Sequence, residues 1–326
     1  MKEGAARASD AAADIERFEA RAGAGAIGHQ RLAHRVHRFL VCNPRKSKLL
    51  ASGSKSDRID CRKLSKLLFL GELSAVYHGE RSLRALQQLV SSYETLVSDC
   101  TRSRSRLKAL YVGRGIACPR RTVFHPAQRQ LWLSKLSEPG ARLRAELLFD
   151  ELDAQTVLRK KAKAAMLAEC RTHAAEVKVL RSVSGFGPVR VAQVLASVRT
   201  PHRFPNASAF HKYVGLAVET SSSSDYEFGP EGLRKRTRHV ATRGLTRDFN
   251  RRLKNVFKGA ATNAAHHGPL VPYYARLLER GSKPELARLT LARRLASAVL
   301  SIWKRGELFD PRRFLAPANQ TDTARR

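Results

Sequence analysis

The middle of this chain carries an apolar repeat that restricts the fold more than any other feature. Apolar side chains recur three and four residues apart, with one gap at Arg104, at Leu83, Leu86, Val90, Tyr93, Val97, Cys100, Leu107 and Tyr111. This heptad spacing predicts a long helix with one buried edge. A second helical pattern covers residues 141–183, after a proline-containing segment. The pair predicts either an antiparallel stalk within one chain or a coiled coil between two copies.

The charge of the chain restricts its partners. Among 326 residues, 61 Lys and Arg against 28 Asp and Glu give a formal net charge of +33. Basic residues concentrate in residues 31–66, 101–130 and 231–260, and the second of these stretches contains no acid. Surfaces of this kind bind phosphate backbones, so we expect a nucleic-acid partner. Because the sequence shows neither an apolar run of membrane-spanning length nor a secretory signal, we expect a cytoplasmic protein without a membrane partner.

The regions flanking the stalk differ in pattern. Residues 38–43 and 75–78 have the short apolar runs typical of strands, and residues 55–71 predict a helix that Ser56 caps and Gly71 closes. Towards the C-terminus, two amphipathic patterns predict helices at residues 249–264 and 285–303. We therefore expect an α/β domain at 1–80, a helical stalk at 81–178, a mostly helical domain at 179–315 and a polar tail at 316–326.

Asp57 and Asp60 are acids in a strongly basic region. Their spacing of three residues places both carboxylates on one face of the predicted helix, where together they could bind a divalent metal. The alternative is that they stabilise the helix dipole and pair with Arg58 or Arg62. Spacing alone favours this alternative.

Two further segments are candidates for phosphate chemistry. The sequence SGFGP, with Gly185 and Gly187, has the form of a helix-hairpin-helix turn that binds phosphate through backbone N–H groups, or of a plain turn between packed helices. The composition of residues 220–229 (TSSSSDYEFG) favours a flexible loop, and no spacing shows a base for a serine nucleophile. Basic residues that follow this loop could bind a phosphate beside it: Arg234, Lys235, Arg236, Arg238, Arg243, Arg247, Arg251, Arg252 and Lys254.

Several segments together resemble the DEDD-type transposases of the insertion-sequence-110 family, which belong to bacterial mobile elements. KSDRIDCRKLSKLL is similar to the family signature K-[ST]-D-R-x-D-A-R-x-L-A-x-L-L, with Cys61 and Ser65 in place of alanine. Other family landmarks occur in the family order, among them ELSAVYHGE, RLKALYVGRGI, VSGFGPVRVAQVLASVRTPHRF, YVGLAVETSSSSDY and TRGLTRDFNRRLKNVFKGAA.

The resemblance implies an α/β plus all-α protein. Its parts would be an N-terminal RNase H-like domain, as in Holliday-junction resolvases, a coiled-coil dimerisation segment and a C-terminal transposase domain. Glu19, Asp57 and Asp60 match family ligands of Mg²⁺, and Ser223 matches the serine nucleophile, with Ser222 as the alternative. The implied partners are DNA, a bridge RNA and further copies of the chain, in a dimer or a tetramer.

The family pattern begins before this sequence does. Its first aspartate lies on an opening strand well ahead of the glutamate, whereas Glu19 has only 18 residues before it. We therefore expect a truncated N-terminal domain that lacks one metal ligand. This leaves an active transposase as the leading hypothesis and a catalytically inactive, truncated nucleic-acid-binding remnant as its alternative. A junction-specific nuclease that needs no RNA is a third, weaker hypothesis.

Overall fold

Helices dominate the computed structural model, which describes residues 40, 56–73, 83–119, 121–222, 226–229, 232–235, 241–245 and 248–315. The chain divides into two units, Met1–Glu80 and Arg81–Arg326. Apart from Leu40, the strands predicted at 38–43 and 75–78 and the tail at 316–326 lie outside the described residues. None of the helices in the described part is long and apolar enough to cross a membrane.

In the first unit the structure describes one helix, α1 (Asp57–Phe69), where the sequence predicted it. The Ser56 hydroxyl caps this helix by accepting a hydrogen bond from the Ile59 N–H at 3.3 Å. Acids in the first turn and Lys66 in the last turn complement the helix dipole. Gly71 follows with a φ of +69°, a conformation that glycine adopts without strain and that ends the helix.

Two long antiparallel helices form a stalk in the second unit. They are α2 (Arg84–Val112) and α4 (Pro139–Glu169), joined through the short helix α3 (Arg129–Ser134) and the 3₁₀ turns Thr122–Phe124 and Pro126–Gln128. Arg114 forms an ion pair with Glu138 at 2.9 Å, and Ser103 donates to Glu151 at 3.1 Å, so the two helices run in opposite directions.

Most of the predicted apolar seam is buried, and Tyr93 and Val97 are partly buried. On α2 the buried residues include Leu86, Val90, Cys100, Leu107 and Tyr111, and on α4 they are Ala141, Ala145, Phe149, Leu152 and Met166. The seam therefore packs within one chain, which was the first of the two alternatives.

The second stalk helix is shorter than predicted. The sequence pattern predicted one helix over residues 141–183, but α4 ends at Glu169 and a 3₁₀ turn, Cys170–His173, separates it from α5 (Ala174–Arg181). The Thr172 hydroxyl donates to the Glu169 carbonyl at 2.7 Å, a bond that favours a tight turn over a continuing α-helix.

The remaining helices pack around one apolar core. They are α6 (Pro188–Val198), α7 (Ala207–Val214), α8 (Arg251–His266), α9 (Val271–Glu279), α10 (Pro284–Arg305) and α11 (Pro311–Leu315), with a 3₁₀ turn at Pro201–Arg203. The helices predicted at 249–264 and 285–303 are thereby confirmed. Phe257 lies at the centre of the core, with ring centroids 5.5 Å from Phe186 and 5.8 Å from Phe210.

Two antiparallel strand pairs interrupt this helical body between α7 and α8. The outer pair is β1 (Val218–Ser222) with β4 (Ala241–Leu245), and the inner pair is β2 (Tyr226–Gly229) with β3 (Gly232–Lys235). The prediction of a flexible loop over residues 220–229 is therefore wrong for residues 220–222 and 226–229, which form strands. Ser-rich composition favours a loop, but the pairing of β1 with the distant β4 and of β2 with the adjacent β3 supplies backbone hydrogen bonds that composition does not reveal.

Candidate functional site

The carboxylate pair lies at the start of α1. Asp57 is exposed and Asp60 is partly buried, and neither forms an ion pair with Arg58 or Arg62 among the described residues. The Asp60 Oδ1 atom is buried and lacks a hydrogen-bond partner in the described part of the chain. A buried, unpartnered carboxylate oxygen is costly, because it has lost its hydration without gaining a donor.

This arrangement fits part of a cation site. Two carboxylates on one helical face, one with an unsatisfied oxygen, are ligands that Mg²⁺ prefers. In the residues that the structure describes, no group of three His, Cys, Asp or Glu side chains could hold a metal. Glu19, the third predicted ligand, lies outside those residues.

The two glycines of the SGFGP turn have different surroundings. Gly185 has a φ of +83°, and a Cβ atom there would lie 2.5 Å from the Ala260 carbonyl oxygen of α8. Gly187 is exposed at the start of α6, and a Cβ atom there would meet nothing within 4 Å. The first glycine therefore lets the turn pack against α8, whereas the second leaves the start of α6 accessible.

Arg190, in the first turn of α6, is hydrogen-bonded to the SGFGP turn. Its Nη1 donates to the Gly185 carbonyl at 2.6 Å, and its Nη2 would lie 3.1 Å from a Cβ atom on Gly259. Burial lowers the pKa of this guanidinium, which forms no ion pair with a carboxylate in the described part of the chain. Sequence reasoning missed Arg190, although a lone cation at the start of an otherwise apolar helix was the available signal.

The start of α8 carries part of the predicted basic set. Arg251 is exposed, and the Lys254 Nζ lies 4.0 Å from the centroid of the Phe249 ring. Burial and the neighbouring Lys258 both lower the pKa of Lys254. Cations at a helix N-terminus oppose the helix dipole, so the arrangement favours an anion there. The Gly185 turn packs against Ala260 in the second half of α8, whereas Arg251 and Lys254 lie in its first turn. The exposed start of α6 and this basic surface therefore belong to packed helices but to different parts of α8.

Arg252 is engaged differently. Its Nε donates to the Glu94 Oε2 of the stalk at 2.7 Å, and Gln193 Nε2 donates to the other carboxylate oxygen at 2.8 Å. The structure thus places Arg252 in a link between α2, α6 and α8, where about a quarter of its side chain remains exposed (27%).

The strand segment leaves and rejoins the helical body at one place. The Asn250 N–H donates to the Tyr213 carbonyl at 2.9 Å, which ties the start of α8 to the end of α7. Beside this bond, a Cβ atom on Gly215 would lie 2.4 Å from the Phe249 ring. The strand segment is therefore anchored at both of its ends to the same place on the helical body.

Within this segment the strand register shows which residues lie opposite the predicted basic residues on the neighbouring strands. Arg234 and Lys235 of β3 oppose Glu227 and Tyr226, and Arg243 of β4 opposes Thr220. The outer pairing ends at Ser222 and Ala241, and the inner one begins at Tyr226 and Lys235. Ser223, Arg236, Arg238 and Arg247 lie outside the described residues.

Comparison with protein families gives two matches. Residues 177–275 match the model described as "Transposase IS116/IS110/IS902 family", and residues 17–113 match the DEDD-type IS110 model, described as "Transposase". A comparison with curated proteins found no significant match. The first matching region includes the SGFGP turn and the strand segment, and the second includes both carboxylates of α1.

Proposed function

This chain belongs to the IS110 family of transposases, and from that premise we propose that it cuts and rejoins DNA with a serine nucleophile, Mg²⁺ and an RNA guide. Family membership supports the transposase role and a DNA partner. The assignments to particular residues, the RNA and the assembly are our proposals.

The strand register is the observation that carries the serine assignment. Three residues, 223–225, connect β1 to β2, and five residues, 236–240, connect β3 to β4. The register pairs Ser222 with Ala241 and Tyr226 with Lys235, so the segment with Ser223 and the segment with Arg236 and Arg238 join the same two strand pairs. We propose Ser223 as the nucleophile, with Arg236 and Arg238 as phosphate-binding partners. Ser222, the last residue of β1, is the alternative nucleophile.

In the proposed step the Ser223 hydroxyl attacks a DNA phosphodiester. A bond forms between Oγ and phosphorus, a phosphorus–oxygen bond to deoxyribose breaks, and the serine proton ends on the departing hydroxyl group. Negative charge develops on the phosphate oxygens, so guanidiniums held beside them lower the barrier. Arg236, Arg238, Arg243 and Arg247 fill this role, and Arg234 and Lys235 bind the flanking backbone.

We assign the metal site to Asp57, Asp60 and Glu19 in an RNase H-like domain. DEDD-type transposases are generally metal-dependent, and the unsatisfied Asp60 oxygen supports a cation at this position. Mg²⁺, when bound, supplies positive charge that neutralises a phosphodiester. The carboxylates themselves orient that charge and set its position on the helix.

The surface formed by α6 and α8 binds DNA or RNA backbone in this proposal. Gly187 adds no side chain at the start of α6, where Pro188 has no N–H and the first N–H groups are those of Val189 and Arg190. Gly185 fixes the turn against α8, and Arg251 and Lys254 add positive charge. Arg252 stays bonded to Glu94, and the exposed part of its guanidinium side chain adds positive charge to this surface.

The exposed face of α4 supports self-association. Positions 143, 147, 150, 154, 157, 161, 164 and 168 are all exposed and alternate four and three apart. Leu143, Leu147 and Val157 are more than half exposed, which is unusual for apolar side chains on one helical stripe. In an antiparallel pairing about a two-fold axis, Leu147 would meet Ala164 of the partner subunit and Asp150 would meet Lys161 of the partner subunit. We therefore propose a dimer through α4, or a tetramer built from it.

A covalent-adduct assay tests the proposed chemistry. The protein is purified with its accompanying RNA and mixed with Mg²⁺ and supercoiled DNA that carries the mobile element. We expect a protein–DNA adduct on a denaturing gel that Ser223→Ala abolishes while nucleic-acid binding persists, because only the nucleophile is removed.

Ser222→Ala and Ser224→Ala are the matched controls, and both should retain the adduct. Equal adduct formation by Ser223→Ala and the wild type would contradict the assignment. A wild-type protein that binds RNA and DNA but forms no adduct would instead favour the non-catalytic remnant.

A further inference from the structure

The outer face of α2 carries exposed hydroxyl and guanidinium side chains. Its exposed positions opposite the buried seam include Ser98, Thr101, Arg102, Ser105 and Arg106, which together line a shallow groove. We call these five residues the hydroxyl–arginine face. It lies on the stalk, away from the serine segment and from the α6–α8 surface in the sequence.

The composition of this face does not serve helix stability. Serine and threonine have lower helix propensity than alanine, because their hydroxyls compete for backbone hydrogen bonds. Thr101 donates to the Val97 carbonyl at 2.9 Å and Ser105 to the Thr101 carbonyl at 3.0 Å, which are contacts of this competing kind. Each hydroxyl can rotate away from its carbonyl and donate to another acceptor.

The arginines of the face are available to an outside anion. Arg102 is 67% exposed in a 3.0 Å pair with Asp99, and Arg106 is 59% exposed in a 3.8 Å contact with Glu151. Exposed pairs of this kind contribute little to stability, so exchanging the carboxylate for a phosphate costs little. Arg104 and Lys108 add further positive charge on the same stretch, and Asp99 is its only acid between residues 98 and 112.

From these observations we infer that the hydroxyl–arginine face binds the phosphate backbone of duplex DNA. This inference rests on the proposed DNA substrate and adds a contact surface to it. Arginine, serine and threonine are the side chains that contact phosphates in protein–DNA complexes. The face carries no aromatic side chain on which an unpaired base could stack, which disfavours single strands. The short side chains of Ser98, Thr101 and Ser105 between the two arginines let a duplex backbone approach the helix.

The test compares variants of the whole 326-residue chain in binding to a fluorescent DNA duplex of about 40 base pairs and arbitrary sequence over a range of salt concentrations. Arg102→Ala with Arg106→Ala should weaken binding about tenfold or more and reduce the slope of log K against log salt by about 1 to 2, as expected for two lost phosphate contacts. The matched control is Arg142→Ala with Arg288→Ala. Those two arginines are partly exposed and each contacts an acid, Glu146 or Glu285, so the control removes equal charge.

A second variant separates binding from folding. Ser98→Ala, Thr101→Ala and Ser105→Ala together should raise Tm by about 3 °C, because alanine favours the helix, while DNA affinity falls about threefold to tenfold. A loss of affinity in a protein that is more stable cannot come from unfolding. Single-stranded DNA and duplex RNA of the same length serve as the other probes.

The inference is overturned if the arginine variant and its control bind duplex DNA equally, or if the loss appears only with RNA or single-stranded DNA. Either result leaves the proposed transposase function intact. Failure of the wild-type protein to bind any DNA would contradict the proposed function as well, so the two failures are distinguishable.

Discussion

At the scale of single residues, the SGFGP turn shows that two similar glycines can have separate tasks. Gly185 combines a positive φ with a close approach to the Ala260 carbonyl, whereas Gly187 faces open space. Gly185→Ala should therefore lower the free energy of unfolding by about 2 to 4 kcal/mol, from the left-handed backbone and the steric overlap together. Denaturant unfolding measures this change.

Gly187→Ala is the control for that measurement. It should leave the unfolding free energy within about 0.5 kcal/mol of the wild type, because the added methyl group meets no neighbour. If the start of α6 binds phosphate, the same variant should weaken nucleic-acid binding. Equal destabilisation by both variants would contradict the distinction between packing and access.

At the scale of secondary-structure elements, Glu94 joins the stalk to the helical body. Its carboxylate accepts hydrogen bonds from Arg252 of α8 and Gln193 of α6, with less than a third of either ionic side chain exposed. Glu94→Ala should lower the free energy of unfolding by about 1 to 3 kcal/mol, since it leaves Arg252 partly buried without its counter-charge.

Thermal or denaturant unfolding of Glu94→Ala measures this effect, and Thr95→Ala on the exposed side of the same helix is its control. A Glu94→Ala protein as stable as this control would show that the link contributes nothing measurable. Increased DNA binding by Glu94→Ala would show in addition that the released Arg252 can contact phosphate.

The secondary-structure elements also show how much of the fold could be predicted from the sequence. The helix at Asp57–Phe69 was predicted because its cap, acidic first turn and closing glycine are local signals. The strand at Val218–Ser222 was missed because its partner, Ala241–Leu245, lies about twenty residues further along the chain. The strand at Tyr226–Gly229 pairs with the nearby Gly232–Lys235, and the Ser-rich composition before it favoured a loop instead. In the site, the spacing of Asp57 and Asp60 was visible in the sequence. Arg190 was visible only as a lone cation on an apolar helix, because its packing against Gly259 of α8 depends on the fold.

At the scale of the whole molecule, the exposed stripe on α4 is the feature that predicts assembly. Asp150→Lys alone should weaken the proposed dimer about tenfold, because it would oppose Lys161 of the partner subunit with like charge. Combining Asp150→Lys with Lys161→Asp should restore association. Sedimentation over a range of protein concentrations gives the dissociation constants.

Leu286→Glu provides the comparison, since Leu286 is an exposed apolar residue outside the stripe. It should leave the assembly unchanged, whereas Leu147→Glu should favour monomers. Failure of the double charge exchange to restore association would contradict the antiparallel register, and a monomeric wild-type protein would contradict self-association itself.

The bond between Asn250 and Tyr213 has a consequence for how such a protein can evolve. Since the strand segment departs from and returns to a single point, substitutions and changes of length within it need not disturb the packing of the helices beneath. Selection can therefore change the sequence and length of this segment without changing the helical body. Among related chains, we expect length variation to collect between Gly215 and Phe249 while the pair at its base is kept.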